Sequence, residues 1–223
     1  MIKAILFDLD ETLIDRTETM RRFLLEQHGL FAELAAFSAP VYSAVCLSQQ
    51  ANGYADKLDA YVSACHELGV GSSGLAQRLF VDFKDRYGER PVLFSGVMAT
   101  LKQLHGRYQL GLVTNGRVKG QMAKIEASGI KRFFSSICIS ESLGCKKPDA
   151  TIFQACLDEL SVAADEALFV GDNPTADIEP ARKLGMFTVW VKSEYFSAPQ
   201  LCDGIVSGVG ELARCLRALE RVD

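Results

Sequence analysis

Four aspartates fall in two close pairs at opposite ends of the chain, Asp8 and Asp10 in ILFDLDETLID and Asp172 and Asp177 in VGDNPTAD. Each pair follows a short apolar run that reads as a strand. Asp8 and Asp10 are two positions apart, the spacing that puts side chains on one side of an extended chain. If the two runs are neighbouring strands, at least three carboxylates meet at one point, and their mutual repulsion calls for a hard cation among them. Magnesium suits such a site. It takes oxygen ligands, keeps several waters, and binds through one or two carboxylates plus a substrate phosphate oxygen. Complementary groups follow other apolar runs, Thr114 and Asn115 after LGLV and Lys147 in GCKKPD. A hydroxyl, an amide and an ammonium are donors suited to the oxygens of a transferring phosphoryl group.

The elements that must position these groups can be read from periodicity. Residues 4–9, 108–115, 135–140, 167–172 and 187–191 are short, rich in β-branched or aromatic residues, and apolar on both faces, as parallel strands covered by helices on both sides require. Helical patterns stand between them at 97–105, 119–128, 149–160 and 177–184, the last closed by Gly185 as a C-cap. Strand and helix in alternation predict an α/β fold, a doubly wound parallel sheet with right-handed crossovers, in which ligands bind outside the carboxyl ends of the strands.

One interval breaks the alternation. From Asp15 to about Ser95 only helical patterns occur, with Leu58, Tyr61, Val62, Cys65 and Leu68 on one helical face and Leu75, Leu79, Phe83 and Tyr87 on another. Met20, Phe23 and Leu24 mark a further helix. The expected organisation is a core of residues 1–14 and 96–223 with a helical insert of residues 15–95 lying over the active edge of the sheet.

At 223 residues and 48% hydrophobic content, the chain can bury one substantial core plus a small accessory lobe. Its 24 basic and 28 acidic residues are well mixed, giving a formal charge of -4 and no broad positive field for a nucleic acid polymer or a membrane surface. No segment approaches the ~20 apolar residues of a membrane span, and the N-terminus lacks a secretory pattern, so a cytoplasmic location is expected. Seven scattered cysteines without a CxxC pair read as small buried hydrophobes with free thiols.

With FDLDETL, LVTNG, KKP and GDNPTAD in that order, each at the end of a predicted strand, the chain resembles the haloacid dehalogenase (HAD) superfamily phosphatases. The resemblance spans the Rossmann-like core on both sides of the insert, whose position is similar to the family's C1-type cap. It implies that Asp8 is a nucleophile forming an aspartyl-phosphate and that Asp10 protonates the leaving oxygen and then activates water. It further implies that Asp8, the Asp10 backbone carbonyl and Asp172 bind Mg²⁺. Asp177 would hold the metal's water shell or orient Lys147, and Thr114, the Asn115 backbone amide and Lys147 would clamp the phosphate. Of the adjacent lysines, the one directly before Pro148 holds the family's position, which favours Lys147 over Lys146.

Plainer readings compete for several residues. Asp177 could cap the following helix, Glu11, Thr12 and Asp15 read as turn-forming or supporting groups, and His28, His66 and His105 lie in helical patterns. Pro180, where relatives often carry glycine, falls in a helix's first turn and is tolerated there. The implied activity is Mg²⁺-dependent hydrolysis of a small phosphorylated metabolite. The alternatives are a phosphomutase that shields its aspartyl-phosphate from water and a non-catalytic scaffold. A scaffold would be expected to have lost a charged site residue, and none is missing. Haloalkanoate hydrolysis has no leaving alkoxide to protonate, which leaves Asp10 without a role. Arg16, Arg21, Arg22 and Lys57 are candidates, by charge alone, for contacts to the leaving portion; neither the substrate nor the oligomeric state can be read from these patterns.

Overall fold

The computed structural model describes residues 1–53, 55–70 and 73–220. In chain order its elements begin with β1 (Ala4–Phe7), followed by helices α1 (Arg16–His28), α2 (Ala39–Ser48), α3 (Lys57–Glu67) and α4 (Ser73–Arg86). Then come α5 (Val97–Leu104), β2 (Gln109–Thr114), α6 (Val118–Ala127), β3 (Ser136–Ile139), α7 (Ser140–Leu143) and α8 (Ala150–Leu160). The chain ends with β4 (Ala167–Gly171), a π-helical turn (Pro174–Ile178), α9 (Glu179–Lys183), β5 (Phe187–Val191), β6 (Gly204–Val206) and α10 (Leu212–Leu219). The chain divides into two compact units, Met1–Asp15 with Val92–Asp223, and Arg16–Pro91. The last three residues, assigned to the core from sequence, lie outside the described residues.

The first unit is a six-stranded sheet in the order β3-β2-β1-β4-β5-β6, every pairing parallel. Strand alternation sends Ile5 and Phe7 to one face, where they pack with Val97, Leu101 and Leu104 of α5 and Leu212 and Leu216 of α10. Ala4 and Leu6 face the other way, against Ile152, Phe153, Cys156 and Leu157 of α8. Both faces are covered, which explains why the strands read as continuous apolar runs. β1 is central, with Phe7 in register with Leu112 of β2 and Val170 of β4. The next residue along, Asp8, therefore emerges between the tips that carry Thr114 and Asp172.

The structure differs from the sequence reading in three places. β1 ends at Phe7, so Asp8 and Asp10 both lie beyond the strand and the two-residue alternation no longer governs them. A sixth strand of three residues, GIV, is too short to leave a periodic signal. Residues 177–184 do not form one helix: a π-helical turn ending at Ile178 precedes a five-residue α9. Ile178 N–H donates to Asn173 O at 3.3 Å, and the Glu179 N–H reaches Pro174 O, five residues back, which widens the turn. Pro180 stands in the first turn of α9, as expected.

The second unit is built from α1 to α4. Met20, Phe23 and Leu24 of α1 pack with Tyr42 and Cys46 of α2, Tyr61 and Cys65 of α3, and Leu75 and Leu79 of α4. All seven cysteines are free thiols. No helix among the described residues is long and apolar enough to cross a membrane.

Candidate active site

The tips of β1 and β4 bring Asp8, Asp172 and Asp177 together. Each offers a carboxylate oxygen, the three oxygens lie within 4.8 Å of one another, and all three residues are buried. The Asp8 N–H donates to Val170 O at 2.9 Å, extending the pairing one residue past the strand. Lys147 reaches in from the segment after α7, its Nζ 2.5 Å from Asp8 Oδ1 and 2.7 Å from Asp177 Oδ1, with a side chain only 3% exposed. One ammonium thus faces three carboxylates. Desolvation, opposed by Lys147 and reinforced by Asp177 and Asp10, pushes the Asp8 carboxyl up to about 7. Desolvation, with Asp8 and Asp177 adding to it, pushes Asp172 up to about 8. Burial works against the Lys147 charge, but Asp177 and Asp8 outweigh it and raise the ammonium above its ordinary value. A buried, all-oxygen donor set with uncompensated negative charge fits a hard divalent cation.

The loop after β4 is shaped for this cluster. A Cβ on Gly171 would lie 2.5 Å from Asp177 Oδ2 and 2.7 Å from its Cβ, so only glycine lets the Asp177 carboxylate fold back against the strand. Asn173, rather than Asp177, caps the turn: its Oδ1 accepts from the Thr175 and Ala176 N–H groups, each at 3.0 Å. Asp177 Oδ2 accepts from the Asn173 N–H at 3.1 Å while Oδ1 holds Lys147. Trp190, beside Gly171 in β5, donates its indole N–H to Asp172 O at 2.7 Å and anchors the loop from the neighbouring strand.

At the tip of β2, Thr114 is buried, and the Asn115 side chain braces the lysine segment. It donates to Lys147 O at 3.0 Å and accepts from the Lys147 N–H at 2.8 Å. Gly116 follows at φ 145, and a Cβ there would sit 3.0 Å from Gln121 Cγ. Gln121 Nε2 donates to Thr114 Oγ1 at 2.6 Å and to Asn115 O at 3.1 Å.

Asp10 takes a different course from Asp8. Its carboxylate does not join the acidic cluster; Lys124 Nζ lies 2.6 Å from both of its oxygens, and Gln121 Nε2 lies 3.0 Å from Oδ2. Any contribution of Asp10 to a metal therefore falls to its backbone carbonyl. Sequence reasoning missed Gln121, Lys124 and Trp190. A lysine and a glutamine inside a helical pattern read as a solvated face. Their spacing of three, which puts them on the same side of α6, was the available signal.

The remaining candidates sit where their plainer readings put them. Glu11 occupies the turn at φ 63, its N–H donating to Ile14 O at 2.8 Å, and Thr12 is buried beside it. Lys146 is exposed. His28 Nε2 lies 2.9 Å from Phe37 O and 3.1 Å from Leu34 O. Among the cations proposed for recognition, Arg21 and Arg22 both bind Glu18. Lys57 donates to the carbonyls of Gly53 and Ala55, and the Arg16 guanidinium fills the space a side chain on Gly53 would need.

Known proteins are similar to this chain. The profile of the haloacid dehalogenase-like hydrolases matches residues 5–191. Glyceraldehyde 3-phosphate phosphatase of Pyrococcus abyssi is 33% identical over 205 residues, covering 86% of this chain and 82% of its own length. N-acylneuraminate-9-phosphatase of Mus musculus is 28% identical over 236 residues, covering 98% and 95%. Among solved structures, the HAD-hydrolase YfnB of Bacillus subtilis, described as bound to magnesium, superposes with a TM-score of 0.74 at 22% identity, over 96% of this chain and 98% of that one.

Proposed function

We propose that this chain, which belongs to the haloacid dehalogenase-like hydrolase family, is a phosphatase of small phosphorylated metabolites, as its relatives are, and works through Asp8 as nucleophile with Mg²⁺ as cofactor. The observation that carries this reading is the buried cluster in which one ammonium, Lys147, faces the carboxylates of Asp8, Asp172 and Asp177. Asp8 must be ionised to attack phosphorus, and burial alone opposes that. Lys147 favours the ionised form, and Asp177 also pairs with the Lys147 ammonium. The Asp8 and Asp172 carboxylates and the Asp10 carbonyl would hold Mg²⁺, which when bound neutralises charge on the carboxylates and on the phosphoryl oxygens.

In the first step an Asp8 oxygen bonds to phosphorus as the bond to the leaving oxygen breaks, and the Asp10 carboxyl gives its proton to that oxygen. In the second, water attacks phosphorus, its proton passes to Asp10, and the Asp8 oxygen leaves as a free carboxylate. The Thr114 hydroxyl, the Asn115 backbone N–H and Lys147 would serve as donors for the phosphoryl oxygens. Phosphorylated sugars and sugar acids are the first compounds to try, because the relatives named above act on such esters.

The test is turnover of a panel containing glyceraldehyde 3-phosphate, N-acylneuraminate 9-phosphate, other sugar phosphates, nucleotides and a generic aryl phosphate, with and without Mg²⁺. Hydrolysis that requires Mg²⁺ and is inhibited by Ca²⁺ is expected, because the larger ion lets Asp8 bind through both oxygens and lose its attacking geometry. Undiminished turnover in excess chelator would remove the metal assignment.

A further inference from the structure

Lys124 lies on α6 with a side chain only 4% exposed, against 23% for its partner Asp10. Burying an ammonium is costly, and an ion pair that only joined a helix to a turn could be replaced by apolar packing at little loss. The arrangement is more specific than such a join needs. Lys124 spans both Asp10 oxygens at 2.6 Å, and Gln121, one turn earlier, touches Asp10 Oδ2, Thr114 Oγ1 and Asn115 O together. Gly116, at φ 145, leaves the space Gln121 occupies.

The chemistry of these partners fixes a direction. An ammonium and an amide NH₂ have hydrogens to give and no lone pair to receive with. When Asp10 carries a proton, that proton cannot rest on Lys124 or Gln121 and must point away from both, while the two donors keep hold of the remaining acceptor capacity of the carboxyl. We propose that Lys124 and Gln121 are positioning residues, which orient the Asp10 carboxyl so that its proton is directed to the leaving oxygen and recovered from water along the same line. This rests on Asp10 being the proton carrier.

The experiment compares kcat/KM for phenyl phosphate, whose leaving group needs a proton, with that for p-nitrophenyl phosphate, whose leaving group needs it little. Both are measured at saturating Mg²⁺ for Lys124→Met, Lys124→Arg and Gln121→Leu, each alone and combined with Asp10→Asn. Misplacing a catalytic group by about 1 Å costs about 10²-fold, so Lys124→Met is expected to lose about that on phenyl phosphate and about tenfold or less on p-nitrophenyl phosphate. Lys124→Arg should recover part of the loss. Gln121→Leu, which removes no buried charge, should show the same selectivity at smaller size and serves if Lys124→Met does not fold. In the Asp10→Asn background Lys124→Met should have almost no further effect, as expected for a residue acting through Asp10, while Gln121→Leu, which also releases Thr114 and Asn115, should lose its selectivity between the two substrates. Equal losses on both substrates, or losses that persist in full in the Asp10→Asn background, would overturn the proposal while Asp10→Asn itself remains selective. If Asp10→Asn also lost equally on both substrates, the proton-carrier role of Asp10 would fall and the proposal with it.

Discussion

Two buried polar assemblies in this chain are built on opposite principles. In the helical unit, Gln27 of α1 is fully buried and every hydrogen-bonding group of its amide is used. Its Oε1 accepts from the Tyr42 hydroxyl at 2.6 Å and the Tyr61 hydroxyl at 3.0 Å, and its Nε2 donates to Leu79 O at 3.0 Å and Asp82 Oδ2 at 2.8 Å. Burial holds both phenols well above their ordinary range, so they stay protonated donors. That hub joins all four helices and leaves nothing over. At the sheet tips, by contrast, three carboxylates share one ammonium, and Asp8 and Asp172 are pushed far from their ordinary range. A balanced buried network holds a fold together, whereas an unbalanced one is a site waiting for a charged partner.

The contrast can be broken from either side. The largest effect is expected from Asp8→Asn, which removes the proposed nucleophile; turnover should fall by about 10⁴-fold or more in a steady-state assay. The thermal midpoint of the metal-free protein should hold or rise, because a buried charge is gone. A marked loss of stability would mean that Asp8 is structural.

Next is Gln27→Leu, which strands two phenolic hydroxyls and a carbonyl in an apolar core. At about 1–3 kcal/mol for each unsatisfied group, a loss of about 3 kcal/mol or more is expected in urea unfolding. The Mg²⁺ affinity of the sheet-bearing unit should be unchanged. A near-neutral result would mean that the hub contributes little to stability.

The third prediction concerns pH. Asp8 and Asp172 have folded values raised to about 7 and about 8 from an unfolded value of 3.8. Between those limits the folded state binds more protons than the unfolded one, so stability of the metal-free protein falls as pH rises through that window. Saturating Mg²⁺ should offset this, by about 2.7 kcal/mol at a hundredfold excess over Kd, and its effect on the thermal midpoint should be larger at pH 8 than at pH 5. An equal effect at both would disconnect the metal from these carboxylates. The smallest effect belongs to an exposed contact: Asp56 caps α3 by accepting from the Leu58 and Asp59 N–H groups, and Asp56→Ala should cost about 1 kcal/mol. A loss comparable to that of Gln27→Leu would show that burial is not what separates the two.

The acidic cluster was legible in the sequence because parallel strands bring their carboxyl ends to one edge, so motifs that end strands must converge. Asp8 and Asp172 needed no more than that, whereas Lys147, in the segment after α7, was chosen over Lys146 by its place before Pro148. The course of Asp10 was not legible, because it depends on where β1 stops and on a lysine that nothing in a helical pattern marks as buried. Gly171 was visible as a letter, but its reason, room for Asp177, appears only when the turn closes back on the strand. Gln27 gave no signal at all, since a polar residue inside an amphipathic helix reads as facing solvent. β6, at three residues, fell below the length at which alternation can be seen.

The measurement that bears most directly on the unbalanced cluster is intact-protein mass spectrometry after rapid quenching of Asp8→Asn and Asp10→Asn with Mg²⁺ and p-nitrophenyl phosphate. Asp10→Asn retains the proposed nucleophile but lacks the group proposed to activate water, so the second step should slow more than the first, and a phosphoryl adduct mapping to Asp8 should accumulate. Asp8→Asn should show none. An adduct on Asp8→Asn, or one mapped to Asp10, would contradict the assignment of Asp8 as the nucleophile.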